Sequence, residues 1–459
     1  MKQWFCVFLI IMVASCQKPA LKQPDVKHLE PAAMTLMKQG LNDLHAYTML
    51  SELTTKAPKR LSGSTMADSA VAWGERTMKN LGFENVRLEP VMVPHWVRGP
   101  VEEAFITSTA PSQKLNICAL GGSIATPKEG IESEIIEVKS LQEVRTLGDK
   151  VKGKIVFYNR PFDKTLFAPF EAYGGAVDQR GYGAVEAARF GAAAVLVRSM
   201  TNRIDTYPHT GAMRYNDSIP KIPAAAISTQ DANNLSAMLT KGQSVKVRMK
   251  LTCETLADKL SYNVVGEIRG TEKPEEVIVI GGHLDSWDKG TGAHDDGAGI
   301  VHSIEALRLM KATGLLPKRT VRVVLFMNEE NGVRGGKGYA AVERPNEKHI
   351  AALESDGGGH APRGFGIEAD SVKLPRITRF ESLLKIIDAD RVGPGHGGTD
   401  IEPLGKTGVP CIGLHPDPQR YFDYHHSDHD TIDKVHDREL ELGAIAMAIL
   451  TYAIAFEGI

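Results

Sequence analysis

Cysteine is scarce in this chain, with 5 residues among 459. Cys6 and Cys16 belong to the N-terminal segment, and Cys118, Cys253 and Cys411 are far apart in sequence. Three widely spaced thiols exclude a thiolate metal site and leave room for one disulfide at most. A chain of this length can bury a core that is large enough to fold without covalent cross-links.

An excess of charge of either sign is also missing. The 54 basic and 56 acidic residues give a formal net charge of -2. Because proteins that bind nucleic acid carry a basic field, this balance predicts no nucleic-acid partner. A hydrophobic content of 42% is typical of a soluble globular protein, and the length predicts two to three domains or one large domain with an insertion.

The N-terminus has the pattern of an export signal. In "MKQWFCVFLIIMVASC" a lysine precedes the apolar run 4–13, which is too short to span a bilayer as a stable helix. Residues 13–16 resemble a bacterial lipobox, so we predict a signal peptide at 1–15, a lipid anchor on Cys16 and a tether at 16–33. Acyl chains would hold the exported protein at a bacterial membrane surface, in the periplasm or outside. A plain signal peptide with an incidental cysteine is the alternative.

Strands and helices alternate in the C-terminal half of the chain. Buried strands are predicted from apolar runs at 276–280, 321–327, 349–353 and 409–414. This order predicts an α/β fold with a mixed, largely parallel sheet that is flanked by helices. In such folds, ligands bind beyond the carboxyl ends of the strands.

Potential metal ligands follow each of these four strands. In chain order they are His283, Asp285, Asp295 and Asp296; Glu329 and Glu330; Glu354 and Asp356; and His425, His426 and His429. Because parallel strands end at the same edge of a sheet, we expect many of these side chains to lie close together. Carboxylates and imidazoles without a thiolate favour zinc or a similar divalent cation.

The number of acids favours two cations over one. Buried carboxylates so close together stay protonated unless cations compensate them. Two dications against three carboxylate ligands leave one positive charge, which a hydroxide ion would cancel. The side chains of Glu329 and Glu330 diverge past the strand, so one can bind metal while the other acts as the general base. Asp285 could accept the second N–H of His283 and fix its tautomer.

The order of these residues resembles the dizinc exopeptidase superfamily, which includes the bacterial leucyl aminopeptidases. Within it, the closest likeness is to the carboxypeptidase Q (plasma glutamate carboxypeptidase) branch, from about residue 35 onwards. The motifs that carry it are "GGHLDSWDKGTGAHDDGAG", "NEENGVRGG", "ESDGG", "YHHSDHDT" and "PHTGAMRY".

The resemblance implies a role for each site residue. Glu329 would be the general base, and the Asp295–Asp296 peptide would be cis. In the residues alone, His425 competes with His426 and Glu354 with Asp356, and the family pattern selects His426 and Asp356. The implied ligands of two zinc ions are Asp295 as the bridge, His283 and Asp356 on one ion, and Glu330 and His426 on the other.

The resemblance also implies an activity. We expect a carboxypeptidase Q-like exopeptidase that hydrolyses dipeptides or short peptides, and an aminopeptidase of the same superfamily is the alternative. A receptor-like member without activity would lack ligands that are present here, and a glutaminyl cyclase would use one zinc ion. Since family members often form dimers, a homodimer is a further expectation.

The middle of the chain differs from both ends. Residues 111–251 contain short strands such as "VKGKIVFYNR" but no cluster of His, Asp and Glu with metal-like spacing. This segment resembles the protease-associated domain, a β-rich insert. We predict that it separates two parts of a catalytic domain, at 34–110 and 252–459.

Overall fold

The computed structural model describes residues 25–459, so the predicted signal peptide and Cys16 lie outside the described residues. The strands are β1 (Glu84–Val97), β2 (Glu102–Ile106), β3 (Gln113–Leu115), β4 (Ile117–Ala119), β5 (Ile131–Val138), β6 (Ile155–Tyr158), β7 (Ala194–Arg198), β8 (Ala224–Ile227), β9 (Lys246–Leu251), β10 (Glu254–Ile268), β11 (Lys273–His283), β12 (Arg319–Phe326), β13 (Lys348–Ser355), β14 (Pro362–Glu368), β15 (Arg391–Pro394) and β16 (Cys411–Pro416).

The α-helices alternate with these strands along much of the chain. They are α1 (Glu30–Asp43), α2 (His45–Lys56), α3 (Thr65–Asn80), α4 (Leu141–Leu147), α5 (Pro169–Gly174), α6 (Asp178–Arg189), α7 (Thr229–Thr240), α8 (Ala298–Ala312), α9 (Arg334–Ala341), α10 (Leu374–Thr378), α11 (Glu381–Leu384), α12 (Glu402–Gly405) and α13 (Asp437–Glu457). Ser64 caps α3 by accepting the N–H of Ala67, which satisfies one of the free donors at a helix start.

The first sheet has eight strands in the order β1-β10-β12-β11-β13-β16-β14-β15. Its four central strands, β12, β11, β13 and β16, run parallel to one another. Strand β10 is antiparallel to both β1 and β12, and β14 is antiparallel to β16. The four predicted strands correspond to β11, β12, β13 and β16. The prediction of a mixed α/β fold is therefore confirmed.

Helices cover both faces of the central strands, because a parallel sheet must bury both of its faces. Alternate residues of β11 point to opposite sides. Ile278 and Ile280 enter the core beneath α8 and α13. Val277 and Val279 enter a second core with residues of α9 and α12. This double burial explains why the strand reads as a continuous apolar run.

A second eight-stranded sheet is formed by residues between β1 and β10, in the order β3-β2-β9-β5-β6-β7-β8-β4. Helices α4 and α6 pack on one face, and α7 packs on the other. The sheet takes in β2, which lies before the predicted start of the insert at residue 111. The chain therefore leaves the first sheet after β1 and returns to it in β10.

The longest helix and the free thiols all belong to the core. Helix α13 is apolar and long enough to cross a membrane. However, 83% of the residues in its most apolar stretch of 18 are buried inside the protein. Cys118, Cys253 and Cys411 are buried and unpaired. The described chain is thus held together without a disulfide.

Two buried acids face each other between α8 and α13. Glu305 and Glu441 are both fully buried. Glu305 pairs with Arg308 at 2.6 Å and lies 3.4 Å from Nδ1 of His45. Burial, together with the negative charge of Glu305, raises the pKa of Glu441 to about 8. Glu441 therefore keeps its proton in the folded protein at neutral pH.

The protonation of Glu441 predicts a pH dependence of stability. An acid whose pKa is higher in the folded than in the unfolded state loses stability as the pH rises between the two values. We expect the free energy of unfolding of the unchanged protein to fall, relative to Glu441→Gln, from about pH 5 to about pH 8. Urea unfolding at several pH values measures this, with exposed Glu52→Gln as the control. A difference that does not vary with pH would contradict the prediction.

Candidate metal centre

The carboxyl ends of the central strands bring the predicted ligands to one edge of the sheet. His283 is the last residue of β11, and Asp356 directly follows β13. Glu329 and Glu330 lie just past the end of β12. The loop after β16 supplies His426. Four strands that are distant in sequence thus contribute side chains to one place.

The carboxylate of Asp295 lies between two histidines. Its Oδ1 is 3.2 Å from Nε2 of His283, and its Oδ2 is 3.2 Å from Nε2 of His426. His283 is also 3.6 Å from Asp356 Oδ1, and His426 is 3.1 Å from Glu330 Oε2. The site therefore has two halves that share Asp295. The structure brings all five predicted ligands together in the predicted pairs.

The protonation of the site reflects its density of acids. Burial would lower the pKa of His426, but Glu330 and Asp295 outweigh it and raise the pKa to about 10. Burial and the charge of Asp295 raise the pKa of Glu330 to about 7. Oδ2 of Asp295 is buried and has no hydrogen-bond partner among residues 25–459. The protons on His426 and Glu330, and this Asp295 oxygen, lie where cations would compensate the negative charge of the carboxylates. This set of carboxylate and imidazole donors therefore fits divalent zinc.

The neighbouring residues Glu329 and Glu330 differ in their hydrogen bonds. Oε1 of Glu330 accepts the main-chain N–H of Trp287 at 3.1 Å, while its other oxygen faces His426. The side chain of Glu329 makes no hydrogen bond within residues 25–459. Burial, with the charges of Asp356 and Glu330, raises the pKa of Glu329 well above its usual value. Of these two glutamates, only Glu330 therefore has a hydrogen-bonded carboxyl group among residues 25–459.

The competing residues Glu354 and Asp356 differ in their surroundings, and so do His425 and His426. Glu354 accepts the main-chain N–H groups of residues 399–401 at 2.9 to 3.0 Å, so its carboxylate holds that loop. Asp356 faces His283 instead. The ring of His425 stacks on His426 and is 3.8 Å from Asp295 Oδ2. His425 also packs against aromatic side chains, which are Tyr173, Tyr421 and Phe422.

Asp285 contacts His283 differently from the sequence prediction. Nδ1 of His283 lies 3.0 Å from the main-chain oxygen of Asp285 and 3.8 Å from its carboxylate. The carboxylate instead accepts the N–H groups of Asn328 at 2.7 Å and Glu329 at 3.1 Å. The backbone turn after β11 points the carbonyl back at the ring. Asp285 therefore orients His283 through its main chain and Glu329 through its side chain.

The turn that carries Asp295 is held by Asp430. Its carboxylate accepts the main-chain N–H groups of Ala293, His294 and Asp295 at 3.1, 2.7 and 3.1 Å. The peptide between Asp295 and Asp296 is cis, as the resemblance implied.

Arg60 is a supporting residue that the sequence does not reveal. It is fully buried and donates hydrogen bonds to the carbonyl groups of Leu284, Thr291 and Gly292. These bonds brace the segment between His283 and Asp295. Because Arg60 lies more than 220 residues away in the chain and its side chain donates to carbonyl groups, no spacing pattern identifies it.

The second sheet contributes directly to the site through the "PHTGAMRY" segment. The main-chain oxygen of Thr210 lies 3.3 Å from Nδ1 of His426, and its N–H donates to the His426 oxygen at 2.9 Å. Nη1 of Arg180, on α6, is 3.5 Å from the same ring nitrogen. A bond from Nδ1–H to a carbonyl group leaves Nε2 free for a metal.

Comparisons with known proteins agree on one family. The model of peptidase family M28 matches residues 263–452. Carboxypeptidase Q of Bos taurus is 38% identical over 423 residues, which cover 92% of this chain and 88% of the relative. The crystal structure of a peptidase M28 precursor from Shewanella amazonensis SB2B is 35% identical with a TM-score of 0.89, over 94% of this chain and 98% of that one. A zinc aminopeptidase from Bacillus subtilis, 18% identical with a TM-score of 0.66 over 90% and 96% of the chains, shares the fold.

The role of Asp430 can be tested with a substitution that preserves its shape. In Asp430→Asn, the side-chain NH2 group would face a main-chain N–H that the carboxylate accepts in the unchanged protein. The turn that carries Asp295 would therefore lose a hydrogen bond. We expect a roughly 10- to 100-fold loss of zinc affinity, which competition with a chelating dye measures. Asp433→Asn, exposed in the same loop, is the control. Unchanged affinity in Asp430→Asn would exclude this supporting role.

Proposed function

This chain belongs to peptidase family M28, and we propose that its metal centre hydrolyses peptide bonds with two zinc ions per chain. The activity is that of a carboxypeptidase Q-like metallopeptidase, with dipeptides or short peptides as substrates. The observation that carries the proposal is the position of the Asp295 carboxylate, which has a histidine at each oxygen.

The donor atoms divide naturally between two ions. His283 and Asp356 would hold one, Glu330 and His426 would hold the other, and Asp295 would bridge them. Zinc bound there would polarise the scissile carbonyl group and lower the pKa of water. The support for this assignment is the pairing of short distances on either side of Asp295 and the unsatisfied Oδ2 atom.

Glu329 acts as the general base in this proposal. Its carboxylate lies beside the ligands without a hydrogen bond of its own within residues 25–459, so it can take a proton from the attacking water. The same group then delivers the proton to the amine that leaves. Asp285 holds the main chain at Glu329 and so keeps the base in place.

We also propose the placement of the protein outside the cytoplasm. The apolar run at 4–13 and the lipobox-like residues 13–16 support export and lipidation of Cys16. The unit between β1 and β10 would be a protease-associated-type insert, for which its position in the chain is the support. A homodimer remains a prediction from the family resemblance.

Two substitutions separate catalysis from metal binding. Glu329→Gln should lower kcat roughly 100- to 10,000-fold, because glutamine cannot accept the proton, while two zinc ions per chain remain. Asp295→Ala should lose both activity and zinc, because both halves of the site share that carboxylate. Dipeptide hydrolysis and elemental analysis of the same samples measure these effects. Near-normal activity of Glu329→Gln, or full activity with one zinc ion, would contradict the mechanism.

The lipid anchor has a separate test in cells. We expect Cys16→Ala to move the protein from the membrane fraction to the soluble exported fraction, because no thiol remains to carry the acyl chains. Cys6→Ala, which changes a cysteine within the predicted signal peptide, serves as the matched control. If the Cys16→Ala protein stays with the membrane, the anchor proposal is wrong.

A further inference from the structure

A cavity of about 560 Å³ opens beside the metal centre. Glu354 and Asp356 line it at the end nearest the ligands, and Arg363 on β14 and Arg391 on the edge strand β15 also line it. Phe167 and Phe170, from the unit between β1 and β10, also form part of its wall. A volume of this size accommodates a dipeptide next to Asp356.

Both carboxylates of the wall have other tasks in the proposed site. Glu354 accepts three main-chain N–H groups, and Asp356 lies against His283. In the proposed site Glu354 holds a loop and Asp356 would bind a metal ion, so neither would be left for a substrate ammonium group. The described wall of the cavity is therefore poorly suited to recognising a positive charge.

One basic side chain of the described wall lacks a partner. The guanidinium group of Arg391 forms no hydrogen bond or ion pair with any of residues 25–459. Arg391 begins β15 and pairs with Gly364 of β14. The two main chains are so close that a Cβ atom at Gly364 would lie 2.0 Å from the Arg391 oxygen, so the main chain of Arg391 is held in place. The other basic groups are occupied, in the pairs Arg363–Asp417 at 3.0 Å, His396–Glu368 at 3.1 Å and His415 with the His396 oxygen at 3.1 Å.

We propose that Arg391 binds a carboxylate group of the peptide substrate and thereby determines specificity. This inference rests on the proposed peptidase function. A planar guanidinium group with several donors matches a carboxylate in two parallel hydrogen bonds. The carboxylate is either the C-terminal group of the substrate or an acidic side chain, and both sources share the same chemistry.

The test compares substrates with and without the carboxylate, in the zinc-loaded full protein and in Arg391→Gln. Ala-Ala against Ala-Ala amide tests the terminal group. Glu-Ala and Ala-Glu against Gln-Ala and Ala-Gln test an acidic side chain. We expect kcat/KM to favour one type of carboxylate, and Arg391→Gln to reduce that preference roughly 10- to 100-fold, mainly through KM.

Further variants separate charge from structure. Arg391→Lys should keep part of the preference, since it keeps the charge but loses the planar fork. Arg76→Gln, which changes an exposed arginine on α3, should behave like the unchanged protein. If Arg391→Gln retains both preferences of the unchanged protein, the inference is wrong.

A failure of the peptidase function would give a different result. In that case, the unchanged protein would hydrolyse none of these peptides. Calorimetric binding of Ala-Ala and Glu-Ala to the zinc-loaded protein and to Arg391→Gln would then decide the inference alone. Weaker binding by the variant supports the role of Arg391, and equal binding overturns it.

Discussion

The crowding of carboxylates around Asp295 is the constraint on which the rest of this structure depends. These acids repel one another in a buried site, so they need cations and a backbone that cannot move apart. Hydrogen bonds from residues that are distant in sequence hold the backbone in place. Asp430 holds the turn that carries Asp295, and Arg60 braces the segment before it. Asp296 accepts the N–H of His283 and so joins that turn to the end of β11.

The site is built by two units of the fold with different tasks. The first sheet supplies every proposed ligand, because its central strands end at one edge. The unit between β1 and β10 supplies the carbonyl group of Thr210, which contacts the ring of His426, and aromatic side chains in the wall of the cavity. A change in the contact between the units would therefore alter both the position of His426 and access to the cavity.

Charge is distributed unevenly along the cavity. Acids collect at the metal end, whereas Arg363 and Arg391 lie on β14 and β15, the last two strands of the sheet. If this end holds two cations as proposed, a peptide with one negative group would be drawn with that group toward the arginines and its amide bond toward the metal end. The same sheet that delivers the ligands at the ends of its central strands thus carries the basic side chains on its outer strands.

The sequence by itself determined the α/β fold of the first sheet and placed candidate metal ligands after four of its strands, since buried strands and the acids that follow them leave a regular pattern. The choice of five ligands among these candidates came from the family resemblance and remains a prediction. Only the tertiary structure decided that Glu354 holds a loop while Asp356 faces His283, and that Asp285 contacts that ring through its carbonyl group. It alone showed that Arg60 braces the site. The physical reason is that main-chain carbonyl groups are the same in every residue, and the direction of a side chain depends on packing between distant segments.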